Sequence, residues 1–135
     1  MLRIAARMMV FVAGVVAVAG IASGLSAQDK GPSIKQVMKA MNGPKGFVAK
    51  TVAAGKSGDW DMAAKYGAKA AECSAALGKN TPKKGDAASW EMLSKKYAEV
   101  GADIESAAKA KDLDKLQAAA KTFGSACKTC HSAHK

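Results

Sequence analysis

Aromatic residues and arginine are both scarce in this chain of 135 residues. Two tryptophans, two tyrosines and three phenylalanines make up 5% of it, and the only arginines are Arg3 and Arg7. Nucleic-acid sites usually combine a basic stripe containing arginine with stacking aromatics. The scarcity of both argues against a nucleic-acid-binding protein. The lysines are spread along the later segments, which is typical of a solvated surface that steers an acidic protein partner.

The sequence also lacks the strict alternation of apolar and polar residues that half-buried strands need. After a short polar lead, four segments instead carry apolar residues at spacings of three and four, which predicts helices. The connections between them are short, except for residues 79–88. Short links between amphipathic helices favour an all-α fold, an antiparallel up-down-up-down four-helix bundle.

The N-terminal 27 residues have the pattern of a secretory signal peptide. Arg3 and Arg7 precede an apolar run from Met8 to Ala22, and small residues follow as far as Ala27. The apolar run is shorter than the roughly 20 residues of a spanning helix, so we expect cleavage after Ala27 rather than a retained membrane anchor. Residues 28–135 then form one secreted domain, with no stable membrane insertion. Cleavage lowers the formal net charge from +10 to +8, because the two arginines are the leader's only charged residues.

The first two helical segments have clear boundaries. The first begins near Ser33, and Asn42-Gly43-Pro44 should kink or break it, because proline cannot continue the hydrogen-bond ladder. The apolar pattern resumes at Phe47. The second segment opens at Asp59 and stops at Gly78, since glycine often follows the last residue of a helix.

The third and fourth segments repeat the same helical period. Asp86 or Ser89 caps the third, and Asp112 is the natural N-cap of the fourth. The apolar stripe of the third contains Trp90, Leu93, Tyr97, Val100, Ile104 and Ala107. The stripe of the fourth contains Leu113, Leu116, Ala120, Phe123, Cys127 and Cys130.

The fourth segment ends in Cys127-Lys128-Thr129-Cys130-His131, a CxxCH motif. In a c-type haem site, each thiol adds to one haem vinyl group and the histidine binds the iron. Cys127, Cys130 and His131 are neighbours on a helix surface, so the three bonds can reach one flat cofactor. This predicts one haem c, attached through two thioether bonds and lying in the core.

Three other interpretations of the cysteines are weaker. A redox CxxC is expected at a helix start in an α/β pattern. A structural zinc site needs four ligands, and Cys73 and His134 fit no familiar spacing for the other two. A plain disulfide is compatible with an oxidising compartment. Cys73 lies on an apolar stripe, where we expect a buried free thiol or, alternatively, an intermolecular disulfide. His134 is expected to be exposed tail.

A signal peptide, four helices and a CxxCH near the C-terminus resemble the class II c-type cytochromes, the cytochrome c-prime family. The similarity covers the whole mature region and is closest over residues 124–131. It implies a periplasmic monohaem protein, with a homodimer through the first two helices as a further option. The interruption at Gly43-Pro44 speaks against carrying that dimer over.

The resemblance also implies two alternative functions, one for each subgroup of the family. In low-spin members a methionine from the first helix is the sixth iron ligand, and Met38 matches it. These members imply an electron carrier that docks on acidic redox proteins. In high-spin members that site is apolar and open, which implies binding of nitric oxide or other small gases. Met41 is the main competitor for the ligand; Met62 and Met92 are less favourably placed. Both histidines lie at the C-terminus, which leaves no distal acid or base for an enzyme such as a peroxidase.

Overall fold

The computed structural model describes residues 31–135, which form five α-helices and no strand. The prediction of an all-α fold is confirmed, whereas the predicted leader, residues 1–27, lies outside the described residues. Over residues 31–135, no helix has both the length and the apolar character needed to cross a membrane. The helices are α1 (Ile34–Met41), α2 (Phe47–Lys56), α3 (Trp60–Ala76), α4 (Ala87–Lys109) and α5 (Leu113–His134).

Side-chain caps fix where four of these helices begin. At the start of each of the helices α3, α4 and α5, an aspartate Oδ1 accepts a hydrogen bond from a backbone N–H, as expected of N-caps. Asp86 is the cap of α4, accepting from Ser89 N at 2.8 Å. Ser33 and Gln36 form a capping box at α1. The predicted cap at Asp112 is confirmed, and Asp59, where the second segment was expected to open, is the N-cap of α3.

The predicted interruption of the first segment is a complete break. Asn42 ends α1, and Gly43 has a positive φ of 78° that other residues rarely adopt. The chain re-enters a helix after Gly46, so the first segment becomes two helices. The end of α3 also differs from the prediction. The α-helix ends at Ala76 and a 3-10 turn, Leu77–Lys79, follows it with Leu77 fully buried.

The core lies where the helices meet along their apolar stripes. α4 packs against both α3 and α5, and α2 packs against the same two helices. α1 contacts α2 and α3. The largest fully buried side chains are Tyr97, Met41, Leu77, Ile104 and Leu116. The motif cysteines extend this core at one end, because Cys130 belongs to it and Cys127 packs against it.

The contact between α3 and α4 depends on a glycine. A Cβ added at Gly101 would overlap the Ser74 hydroxyl and lie 3.2 Å from the Ala70 carbonyl oxygen. We therefore expect Gly101→Ala to lower the free energy of unfolding by about 1–3 kcal/mol, the usual cost of overpacking. Gly124 in α5 is the matched control, because a Cβ there meets nothing within 4 Å. Gly124→Ala should stabilise the helix by about 0.5–1 kcal/mol. Thermal or denaturant unfolding measures both, and equal effects would contradict the close approach.

Candidate functional site

The CxxCH motif lies in the last turns of α5, at the boundary between core and solvent. Cys130 is buried with 9% exposed, and Cys127 is half-buried against the core. The prediction that both cysteines lie on the buried stripe is confirmed. His131 does not share that stripe and is exposed, since consecutive residues differ by about 100° around a helix. The two thiols therefore face inward and the imidazole is open to solvent.

The end of α1 reaches the motif through Asn42. The Asn42 Nδ2 donates to the Met38 carbonyl oxygen at 2.9 Å and lies 3.8 Å from the Met38 Sδ. On its other side, the Cys127 Sγ–H donates to the Asn42 Oδ1 at 3.6 Å. Met38 and the first motif cysteine are thus joined by a single amide. This contact joins the C-terminal end of α1 to the last turns of α5.

The other methionines occupy different surroundings. Met41 is fully buried in the core and Met62 is half-buried near the start of α3. Met92 is 64% exposed on α4, as its position off the stripe predicts. Met38 is half-buried and packs against the core. Met38 is therefore partly buried, and its sulfur lies beside Asn42, the residue that also contacts Cys127.

Burial controls the ionisation of the two motif thiols. Desolvation raises the pKa of Cys127, and the nearby Cys130 raises it further against a backbone hydrogen bond that lowers it. Desolvation alone raises the pKa of Cys130. Both groups consequently remain protonated at neutral pH and act as weak hydrogen-bond donors. All three cysteines are free thiols in the structure.

Tyr97 closes the buried side of the motif. It is 2% exposed, and its ring packs on Phe123 at a centroid distance of 5.2 Å. Burial, followed by the adjacent thiols, raises the pKa of Tyr97 far above its usual range. The Asn42 side chain lies beside the hydroxyl and lowers the pKa of Tyr97, against the effect of burial. Even so, no atom stands in hydrogen-bond geometry with the Tyr97 Oη.

His134 is held in place, so the prediction of an exposed tail is wrong. Its Nδ1 lies 2.8 Å from the Lys84 carbonyl oxygen and its Nε2 lies 3.1 Å from the Ser89 Oγ. The carbonyl can only accept, so Nδ1 carries a proton. The imidazole also meets the Trp90 ring edge-on at 5.4 Å. These contacts fasten the last turn of α5, one turn beyond His131, to the start of α4.

A basic groove surrounds the same imidazole. Its volume is about 350 Å³, and its lining consists of Ile34, Lys35, Lys83, Lys84, His134 and Lys135. All four lysines are exposed, and no acidic residue lines the groove. Four of the lysines that look evenly spread in the sequence therefore lie together at this end of the molecule.

Cys73 lies apart from the CxxCH motif along the chain, in α3. It is half-buried and lines a separate groove with Pro32 and Phe47. Burial and the neighbouring Glu72 raise the pKa of its thiol. Across residues 31–135, no group of three or more histidine, cysteine, aspartate or glutamate side chains is arranged to hold a metal ion.

Comparison with protein-family models, with curated proteins and with solved structures finds no match for this chain.

Proposed function

We propose that this protein is a periplasmic monohaem c-type cytochrome of the class II kind that carries single electrons and is not an enzyme. The observation that carries the proposal is that Asn42 links the Met38 sulfur to the thiol of Cys127, the first CxxCH cysteine. A thioether at the end of α1 and a motif thiol in α5, which lies 85 positions from Asn42, thereby share one amide neighbour. A CxxCH alone predicts covalent haem, and the thioether adds a candidate for a second iron ligand besides His131.

The residues present fit such a cofactor. Cys127 and Cys130 would hold haem c through thioether bonds, while His131 and Met38 would bind its iron. The haem would supply a one-electron iron couple, and histidine–methionine ligation raises its reduction potential. Tyr97 and Phe123 form a packed aromatic wall beside the thiols, which limits water on that side. The imidazole of His131 is unobstructed from solvent, so its ring is free to turn toward a metal.

The proposed fold is an up-down-up-down four-helix bundle in which α1 and α2 together take the place of the first helix. Its support is the pattern of contacts, in which α2 and α4 each pack against both α3 and α5. Such a closed set of neighbours is expected of a four-helix bundle. The fixing of α5 to the start of α4 by His134 supports the same arrangement at the motif end.

An optical spectrum tests the proposal directly. The protein is produced in a host that attaches haem to CxxCH motifs and then purified. We expect sharp low-spin bands on reduction and a covalent haem. A broad high-spin spectrum would replace the carrier by the gas-binding alternative with an open sixth site. A colourless protein would overturn the haem assignment altogether.

The basic groove provides a surface for the acidic partner of such a carrier. We expect Lys83→Glu together with Lys84→Glu to slow oxidation by ferricyanide, an anionic probe, by roughly tenfold at low ionic strength. The effect should shrink as salt screens the charges. Lys56→Glu with Lys65→Glu is the matched control, because it makes the same charge change away from the groove. Stopped-flow absorbance gives both rates, and equal slowing by the two pairs would assign the effect to net charge instead.

A further inference from the structure

Two polar groups beside Cys127 have no role in binding haem directly. One is the Tyr97 hydroxyl, buried and without a hydrogen-bond partner. Buried polar groups in native proteins are nearly always paired, so an unpaired one calls for a specific explanation. The other is the Asn42 amide, which lies between Met38, Cys127 and Tyr97.

Asn42 uses both ends of its amide in the structure. Its Nδ2 is directed to Met38, at 2.9 Å from the carbonyl oxygen and 3.8 Å from the sulfur. Its Oδ1 accepts the Cys127 Sγ–H at 3.6 Å. A thiol is a weak donor, so this last bond is readily replaced by a stronger one. The neighbouring Tyr97 hydroxyl is a stronger donor that lacks an acceptor.

Haem attachment removes the competing donor. When the Cys127 thiol adds to a vinyl group, the sulfur bonds to one vinyl carbon and the thiol hydrogen passes to the other. The S–H bond and the carbon–carbon π bond are lost, the S–C and C–H bonds form, and no net electrons are gained or lost. The resulting thioether has no hydrogen to donate. The Asn42 Oδ1 then has no remaining donor, and both of its lone pairs can accept.

We propose that, in the haem-bearing protein, Asn42 accepts a hydrogen bond from Tyr97 and donates one to the sulfur of Met38. The inference rests on the proposed function. Asn42 and Tyr97 are then positioning residues, which orient the Met38 thioether without touching the iron. Donation to the sulfur also withdraws electron density from the ligand, and this favours the reduced state of the iron. The pair thus explains why a tyrosine hydroxyl is buried unpaired beside a cysteine.

The test measures the reduction potential of the holoprotein and the long-wavelength charge-transfer band of methionine-ligated ferric haem. We expect Asn42→Ala to lower the potential and shift the band. At a fixed redox poise the ratio of reduced to oxidised protein should fall roughly fivefold, the size of one neutral hydrogen bond. Tyr97→Phe should act in the same direction with a smaller effect. In the Asn42→Ala background, Tyr97→Phe should add nothing, because its influence passes through the amide.

The chain offers a matched control for each variant. Tyr66 and Asn80 are its other tyrosine and asparagine, and Asn80 bonds to the Pro32 carbonyl rather than to Met38. Tyr66→Phe and Asn80→Ala should leave the potential unchanged. NMR of the reduced, diamagnetic protein adds a second readout, since a slowly exchanging Tyr97 hydroxyl proton should be present and should disappear in Asn42→Ala.

Two results would overturn the inference while leaving the proposed function intact. One is a methionine-ligated wild type whose potential and charge-transfer band are unmoved by Asn42→Ala. The other is an undiminished effect of Tyr97→Phe when Asn42 is already alanine. Failure of the proposed function is seen separately, as a wild type with no haem or with high-spin iron. Tyr97→Phe removes only an unpaired hydroxyl, so it stays informative if Asn42→Ala loosens the end of α1.

Discussion

Replacing both motif cysteines, Cys127→Ala with Cys130→Ala, is expected to abolish covalent haem completely. The reason is chemical, because a c-type haem stays with its protein on acid extraction only through thioether bonds to cysteine. Alanine has no sulfur, so any haem that binds the double variant through His131 should pass into the organic phase. Acid–organic extraction followed by absorbance of the protein fraction measures this loss, and haem still bound to the protein would refute the assignment.

Cys73→Ala is the matched control for that experiment. It removes a half-buried thiol in α3 that belongs to a separate groove, and it should retain the full complement of haem. A thiol count on the unfolded wild-type protein gives an independent check. One reactive thiol, that of Cys73, is expected when both motif sulfurs are thioethers. Three reactive thiols would show that attachment had not occurred.

The helices were predictable because their signals are local. Asp59 and Asp112 cap the next turn within three residues, and the apolar spacing of three and four describes α4 and α5 over almost five turns each. The break after Asn42 was predictable for the same reason, since proline and a left-handed glycine act on their immediate neighbours. The predicted end of α3 was less accurate. The chain continues past Ala76 as a tighter 3-10 turn in which Leu77 is buried.

The contacts that shape the candidate site have no such signal. His134 meets Ser89 and Lys84 across 45 and 50 positions, and Cys127 meets Asn42 across 85. Side-chain hydrogen bonds between helices follow from how the helices pack, and no sequence period encodes them. His134 therefore looked like free tail, and Asn42 looked like a simple helix stop. The stripe placed Tyr97 in the core correctly, but its unpaired hydroxyl is a property of the packed structure.

Replacing Met38 by leucine is expected to convert the haem iron from low spin to high spin. Leucine fills nearly the same volume, and such exchanges usually cost less than about 1.5 kcal/mol, so the fold should persist. It has no sulfur lone pair, so the iron would lose its sixth ligand and its potential would fall. The variant should also gain binding of carbon monoxide in the reduced state. Absorbance spectra of the ferric, reduced and carbon monoxide forms measure the change.

Met41→Leu and Met92→Leu are the controls that distinguish Met38 from other methionines as the iron ligand. Met41 is fully buried on the same helix and Met92 is 64% exposed on α4, so the first tests the competing ligand and the second a remote methionine. Both should remain low spin. If Met41→Leu were high spin and Met38→Leu low spin, the iron ligand would be Met41, one turn further along α1. The sulfur of Met38 is the one that Asn42 links to Cys127, and for that reason we expect the spin change at position 38.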